Sequence, residues 1–300
     1  MNRDRIKGIV YLLITAIIWG GSFISQFVGG NILGSFTFNF YRCFLGCITI
    51  AIMVISDSKS KTGKFSFFIE GEDPLMIIKN STWCGLILFV AMITQQFGIE
   101  ITDTAKSGLI TSLEVICVPI LMLIIYKRKI RFVTWVFIIM AMVGIMMLSV
   151  NSISGINRGD VLVFISTILY SITIIQVPKY IKNIDPLKFS FFRFAIITIL
   201  CFMFSFIFKE KIFSLDDIEH AITSVLYSGI LSVGVAYTFS ILGQKYCEPI
   251  IATLIMSLEG IFAAIFGWIL LGQTLNFVQI LGIFIAFISI AIVQISDLKS

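Results

Sequence analysis

The sequence predicts an all-α polytopic membrane protein, with about ten transmembrane helices in two inverted five-helix repeats. Three observations predict it. The 300 residues are 58% hydrophobic and 13% charged, whereas a soluble domain carries about 25% charged residues. Apolar runs of roughly 18–22 residues recur along the chain, each long enough to cross a hydrocarbon layer of about 30 Å as a helix. The tripeptide Ser-Leu-Glu falls inside two of those runs, as Ser112-Leu113-Glu114 and Ser257-Leu258-Glu259, at matching places in the two halves. An ionisable group at membrane depth is expensive and by default marks a functional position.

The expected spans are 8–27, 35–56, 82–101, 106–126, 131–149, 159–179, 186–208, 221–243, 249–271 and 275–296. The first follows Arg3-Asp4-Arg5-Ile6-Lys7, as in a signal sequence, but its apolar run exceeds a signal core, so it reads as a retained first helix. Connections are short, which makes neighbouring helices antiparallel. The longest, 57–81, mixes charge signs, carries Gly71 and Pro74, and reads as a solvated loop with a short interfacial stretch. No soluble domain is left once the spans are removed.

Lysine and arginine placement sets the orientation. With the N-terminus inside, only Lys106, Arg158, Lys209 and Lys211 of the 22 basic residues lie outside, and Arg42 and Arg193 fall within spans. The rest lie inside, which predicts a multi-pass protein of the cell (inner) membrane with both termini cytoplasmic. The formal charge of +5 thus serves topology and does not point to nucleic acid.

The halves repeat. Residues 82–149 align without a gap on 227–294, pairing Gly98 with Gly243, Ser112 with Ser257 and Glu114 with Glu259. Residues 7–46 align on 158–197, pairing Gly8 with Gly159 and Arg42 with Arg193. The expected units are 1–150 and 151–300, five spans each. An odd number makes the second copy enter from the opposite side, the inverted repeat of many secondary transporters.

Helical spacing gathers small, polar and aromatic residues into stripes. Span one carries Thr15, Trp19, Ser22 and Gln26; span six carries Ser166, Tyr170, Thr173 and Val177. Span three shows Ala91, Gln95, Gly98 and Thr102, and span eight Ala236, Ser240, Gly243 and Cys247. Span four adds Ser107, Thr111 and Glu114, and span nine Ala252, Met256, Glu259 and Ala263. These stripes either line a central cavity or let helices pack closely. Trp19, Gln95, Gln96, Glu114, Tyr170, Ser240 and Glu259 are the candidate substrate-binding residues. Spans five and ten are nearly all apolar and suit lipid-facing or scaffolding positions.

A carboxylate in low dielectric holds a proton more readily, which suits proton coupling or binding of a substrate amine at Glu114 and Glu259. The alternative is a structural glutamate bonded to a neighbouring helix. Arg42 and Arg193 are candidates for ion pairing or coupling. They can pair with the glutamates, bind a substrate carboxylate, or snorkel to an interface.

Other chemistry finds little support. The six cysteines lack metal or redox spacing, and His220 is the single histidine, so neither a metal nor another cofactor is indicated. Asp216-Asp217 with Glu219 reads as a solvated loop and helix cap, not as one of the paired aspartate motifs that a prenyl-type enzyme needs.

Residues 255–272, Ile-Met-Ser-Leu-Glu-Gly-Ile-Phe-Ala-Ala-Ile-Phe-Gly-Trp-Ile-Leu-Leu-Gly, resemble the ninth helix of the drug/metabolite transporter superfamily, EamA-type branch. The stretch from Thr102 to Pro119 resembles its counterpart in the first half, and Ala16-Ile17-Ile18-Trp19-Gly20-Gly21-Ser22-Phe23 the family's first helix. The resemblance covers the whole chain. It implies ten helices in two inverted repeats and a bacterial-type inner-membrane carrier for small metabolites, often amino acids, usually by export. Gly260 stands where the family often has proline, and Gln273 where it often has glutamate.

The expected function is therefore a secondary transporter of a small molecule, an amino acid or related compound, working by alternating access. The alternatives are an intramembrane enzyme acting on a lipid or prenyl substrate, which would need clustered catalytic groups at one membrane face, and a passive channel.

Overall fold

The structure, a computed structural model, describes residues 3–102, 104–127, 130–147, 156–271 and 276–297. Helices α1 (Arg3–Leu33), α2 (Ser35–Thr62) and α3 (Pro74–Ile101) form the first three spans. The fourth is α4 (Thr104–Ser112) with α5 (Glu114–Tyr126), and the fifth is α6 (Phe132–Met147). Then follow α7 (Arg158–Tyr180) and α8 (Pro186–Ile207). The eighth span joins α9 (Leu215–Leu226), a π-helical segment (Tyr227–Tyr237) and α10 (Thr238–Gln244). The ninth is α11 (Pro249–Met256) with α12 (Glu259–Leu271), and the tenth is α13 (Phe277–Asp297).

Eight spans are long and apolar enough to cross a bilayer, and Phe132–Met147 and Phe277–Ile292 are shorter apolar helices. The expected boundary at 150/151, the expected end of span five at 149 and start of span ten at 275 lie outside the described residues, as does Gln273. The outward faces are apolar: Ile52, Trp83, Ile124 and Phe284 are each more than half exposed, as suits side chains that meet lipid.

Helix entries follow from local sequence. Asp73 and Asp185 each precede a proline at the first helical position and accept backbone N–H groups of the first turn, from Leu75 and Met76 and from Leu187 and Lys188. Asn157 and Asp160 form a reciprocal capping box at the start of α7.

Two loop expectations are corrected. The connection between spans two and three shrinks to residues 63–73, because α2 runs to Thr62 and α3 starts at Pro74. It is not a free solvated loop. Phe67 packs edge-on against Phe191, with ring centroids 4.8 Å apart, and Phe68 stacks on Phe192 at 5.9 Å. Glu72 pairs with the buried Lys188. The stretch 215–220 is likewise the first turn and a half of α9, capped by Ser214, with an exposed His220.

The bundle has an internal two-fold pattern. α1 packs along span eight as α7 packs along α3, and α1 meets α11 and α12 as α7 meets α4 and α5. α2 packs on its counterpart α8, α6 on α13, and span four on span nine. With five spans per repeat, the two copies run in opposite senses. The first helix of each repeat thus packs mainly on the other repeat.

Glycine makes these crossings possible. A Cβ at Gly98 would stand 2.8 Å from the carbonyl oxygen of Gly159, and one at Gly243 would stand 3.1 Å from that of Gly8. These four glycines are the repeat-related pairs noted in the sequence. Small residues at such points let backbones touch without a side chain between them. Gly98→Ala is expected to cost about 1–3 kcal/mol through overpacking. Gly108→Ala is the control, since its Cβ would meet Phe23 only at an ordinary 3.6 Å. Melting temperature in detergent checks this, with a clear loss expected only for the first.

A second glycine pair refines the repeat. Gly229 lies against the Arg42 carbonyl and Gly85 against that of Arg193, with added Cβ atoms 3.1 and 2.9 Å away. Gly85 thus matches Gly229, one residue off the ungapped register that relates Gly98 to Gly243. The wider turn of the π-helical segment in span eight takes up the extra residue.

Candidate functional site

Both Ser-Leu-Glu tripeptides fall at helix breaks. Span four is interrupted at Leu113 and span nine at Ser257 and Leu258, and each glutamate begins the following half-helix. At the breaks the backbone tightens: Leu113 N donates to Ile110 O at 3.1 Å, and Leu258 N to Ile255 O at 3.2 Å. The serine of each tripeptide donates back into the preceding turn, Ser112 to Gly108 O at 2.9 Å and Ser257 to Leu254 O at 3.0 Å. Back-bonding of this kind competes with the helix ladder and bends it. Gly260 leaves room for the facing break, since a Cβ there would stand 2.9 Å from Ser112 Oγ.

Between the breaks lies a cavity. Its volume is about 50 Å³. That is room for roughly three or four waters, so the space is narrow and irregular. Its walls come largely in repeat-related pairs: Trp19 with Tyr170, Ser22 with Thr173, Arg42 with Arg193, Gln95 with Ser240, Glu114 with Glu259. Among the described residues α6 and α13 contribute none to the lining; they pack on each other.

The pairing is broken on span eight. Ser232, Tyr237 and Gln244 also line the cavity, whereas Met92 and Ile99, the counterparts of Tyr237 and Gln244, do not. Likewise Gln26 faces the cavity opposite the apolar Val177. The two-fold skeleton therefore carries an asymmetric polar surface.

One wall is a hydrogen-bonded chain. Tyr170 Oη donates to Gln95 Oε1 at 3.0 Å, Gln95 Nε2 donates to Thr111 Oγ1 at 3.2 Å, and Tyr237 Oη lies 3.5 Å from Tyr170 Oη. Trp19 meets Tyr237 edge-on, with ring centroids 4.7 Å apart. On the opposite side Gln26 Nε2 donates to Ser22 Oγ at 3.0 Å, and Ser22 lies 3.3 Å from Ser232 across the repeat interface.

Glu114 and Glu259 are 9% and 6% exposed and both line the cavity. No ion pair reaches either one among the described residues. Each sits at the first position of a half-helix, where the positive end of the helix dipole favours negative charge. Half-helix termini at mid-depth are a recurring way of holding polar substrates in transporters.

Arg42 and Arg193 are only 2% and 3% exposed, which removes snorkelling. Among the described residues neither pairs with a glutamate or any other acid. Arg42 is held by Nε donating to Asn39 Oδ1 at 2.9 Å, and the Arg193 guanidinium lies 5.9 Å from the Tyr237 ring centroid.

One candidate is placed elsewhere. Gln96 does not line the cavity: its Nε2 donates to Gln26 O at 2.9 Å and to Glu100 Oε1 at 3.1 Å. Residue 96 is one step of about 100° around the helix from Gln95, so the two adjacent amides cannot share a face. Thr15 and Ser166 follow the packing reading of their stripes: Thr15 donates to Ala236 O across the repeat interface, and Ser166 to Val163 O.

The model of the EamA-like transporter family matches residues 6–150 and 157–295. The chain belongs to the EamA-like transporter family. Its relatives include a protein of Archaeoglobus fulgidus called an uncharacterized transporter, 26% identical over 95% of this chain and 84% of that one. Another is the uncharacterized transporter YoaV of Bacillus subtilis, 20% identical over 92% of this chain and 93% of its own. A solved crystal structure matches with a TM-score of 0.74 over 97% of this chain and 96% of that one. At 12% identity that likeness concerns the fold alone. As an EamA-like transporter the chain is a multi-pass membrane protein, and the family implies a small-molecule substrate.

Sequence reasoning missed Tyr237, Ser232 and Gln244. Ser232 lies inside the π-helical segment, whose wider turn departs from the 3.6-residue spacing used to trace stripes, whereas Tyr237 and Gln244 stand three residues before and four after Ser240, on the face its stripe already marked. Nothing in the sequence of span eight announces that turn.

Proposed function

We propose that the chain is a secondary transporter that moves a small metabolite, an amino acid or related compound, outward by alternating access. The observation that carries this reading is the cavity itself: it lies where two broken helices of opposite sense meet, and it holds two carboxylates and two guanidiniums that make no ion pair among the described residues. Glu114 and Glu259 act as polar anchors or proton-linked groups. Gln95, Tyr170, Trp19 and Ser240 position the substrate, and both termini lie in the cytoplasm of an inner-membrane protein.

The moving bodies differ from the sequence halves 1–150 and 151–300. Because α1 packs on spans eight and nine, and α7 on α3 to α5, each body takes its first helix from the other half. The two ends of the cavity are held differently. At one end Lys106 Nζ pairs with Asp160 at 2.6 Å, and Thr102 Oγ1 donates to the same carboxylate at 2.5 Å. Ile251, Ile9 and Cys247 are the repeat counterparts of those three residues and cannot form the same ion pair. By the positive-inside bias the polar lock faces outward. A narrow cavity locked on that side fits a carrier between its open states.

Purified protein in proteoliposomes tests the reading. A carrier gives uptake that saturates and accelerates when unlabelled substrate is loaded inside. A channel gives flux that rises linearly with concentration, and an intramembrane enzyme converts its substrate without net transfer. Either outcome would end the proposal.

A further inference from the structure

Where α3 begins and α7 ends, Lys79, Asn80, Thr82, Trp83 and Tyr180 line an open groove of about 480 Å³. Small-molecule sites span about 300–1,000 Å³. An ammonium, an amide, a hydroxyl, an indole N–H and a phenol surround the space. None of these five side-chain heads makes a hydrogen bond or an ion pair with another described residue. The acids closest in sequence are engaged elsewhere: Glu72 pairs with Lys188, and Asp73 caps α3. Their neighbour Ser81, by contrast, is spent on Ile77 O at 2.7 Å.

The fold does not require this arrangement. In the register that relates Gly85 to Gly229, the counterparts of Lys79, Asn80, Thr82 and Trp83 are Thr223, Ser224, Leu226 and Tyr227, and Gly29 stands for Tyr180. No cation is among them. Tyr227 reaches into the bundle and donates to Ile18 O at 2.8 Å, whereas Trp83 is 57% exposed. The two-fold skeleton thus carries this set of groups at one end only.

By the positive-inside bias that end lies at the cytoplasmic face, whose leaflet carries anionic lipid. Tryptophan and tyrosine belong at head-group level, with their apolar bodies toward the acyl chains. From Trp83 toward the middle of α3, Leu86 and Val90 continue one exposed apolar face at helical steps of three and four. A cation and several uncharged hydrogen-bonding groups therefore stand above an apolar track, which is the chemistry of a phosphate ester on a hydrocarbon chain. We infer that the groove binds one anionic phospholipid, with its phosphate on Lys79 and a chain along Trp83, Leu86 and Val90. A zwitterionic lipid would bring its own ammonium beside the lysine and fits less well. The inference does not depend on what the central cavity carries.

The test uses the full-length protein in phosphatidylcholine vesicles that contain a minor fraction of dibrominated lipid, whose bromines quench tryptophan on contact. Dibrominated phosphatidylglycerol is compared with dibrominated phosphatidylcholine, and the signal read is the quenching that Trp83→Phe removes. The anionic lipid is expected to compete about fivefold better, the advantage that one lysine gives near a membrane surface. Lys79→Gln is expected to bring the two lipids level. Lys64→Gln, at an exposed position of the 63–73 connection outside the groove, is expected to leave the preference intact. Inorganic phosphate forms a further arm and is expected not to displace the lipid. Equal quenching by both lipids in the wild type would mean ordinary boundary lipid only. A preference that survives Lys79→Gln would belong to another place, and displacement by inorganic phosphate would make the groove a site for a free anion. Each of these results overturns the inference, and the wild-type comparison of the two lipids stands even if a variant fails to fold.

Discussion

Glu259→Gln is expected to reduce transport in proteoliposomes to background while the protein still folds and inserts. Glutamine keeps the shape and a hydrogen-bonding end but can neither carry charge nor exchange a proton. At the half-helix start of span nine, with no ion pair holding it among the described residues, Glu259 lines the cavity together with its repeat counterpart. A structural role would register chiefly as lost stability, because an unbonded carboxyl contributes no contact that glutamine lacks. Glu114→Gln should produce a loss of the same kind. The repeat relation makes the two comparable, and the asymmetry of span eight predicts that they are not equal. The assay is uptake of a binding amino acid across a pH series, alongside melting temperature. Unchanged transport with an unchanged pH profile would remove both residues from the cycle.

The second large effect concerns stability. Lys188 is 2% exposed and Glu72, its partner from the 63–73 connection, is 22% exposed. Removing one member of a buried pair costs about 3–5 kcal/mol, because the other charge is left uncompensated. Glu72→Ala should therefore cost about 3 kcal/mol, at the lower end because Glu72 keeps some water. Glu72→Gln combined with Lys188→Met should restore most of that loss, since the buried charge is then gone. A melting series of the wild type, the single variant and the double variant checks this. A double variant as unstable as the single one would mean that the connection is held by Phe67 and Phe68 alone.

This contact has a partner at the other end of the bundle. Glu210, in the connection between spans seven and eight, accepts from Phe36 N at 3.2 Å and Thr37 N at 2.6 Å at the start of α2. Thr37 is the repeat counterpart of Lys188. Each repeat thus extends a connection across the interface and grips the start of the other repeat's second helix with a glutamate. One grip is an ion pair and the other a helix N-terminus, which is itself favourable to negative charge. That difference follows the asymmetry of the cavity.

Much of this was legible in the sequence, and for physical reasons. Span length and hydropathy are set by bilayer thickness, so ten apolar runs and their repeat could be read directly. Glu114, Glu259, Arg42 and Arg193 stood out because charge in an apolar run needs a reason. The breaks beside the glutamates did not stand out. No glycine or proline sits inside either tripeptide, and the bends come from serine hydroxyls bonding backward and from the meeting of the two helices. Gln96 was misplaced because adjacent residues of one helix point apart, which a stripe drawn through Gln95 already implied. Ser232 escaped notice because a π turn shifts phase without any change in composition, whereas Tyr237, three residues before Ser240, was within reach of the same stripe. The connection 63–73 read as solvated because its glutamate and lysine looked like loop charges; only the fold brings Glu72 to Lys188.

The central claim is that a water-accessible cavity lies between two inverted repeats. Cysteine labelling in sealed vesicles tests it most directly. Ser240→Cys, on the cavity wall, should react with a membrane-impermeant maleimide above the background of the native cysteines, from either side of the membrane, and slow when a binding amino acid is present. Ile52→Cys, on the outer face of α2 and 64% exposed, should stay unlabelled because only lipid reaches it. Labelling of Ile52→Cys with Ser240→Cys inert from both sides would contradict the account.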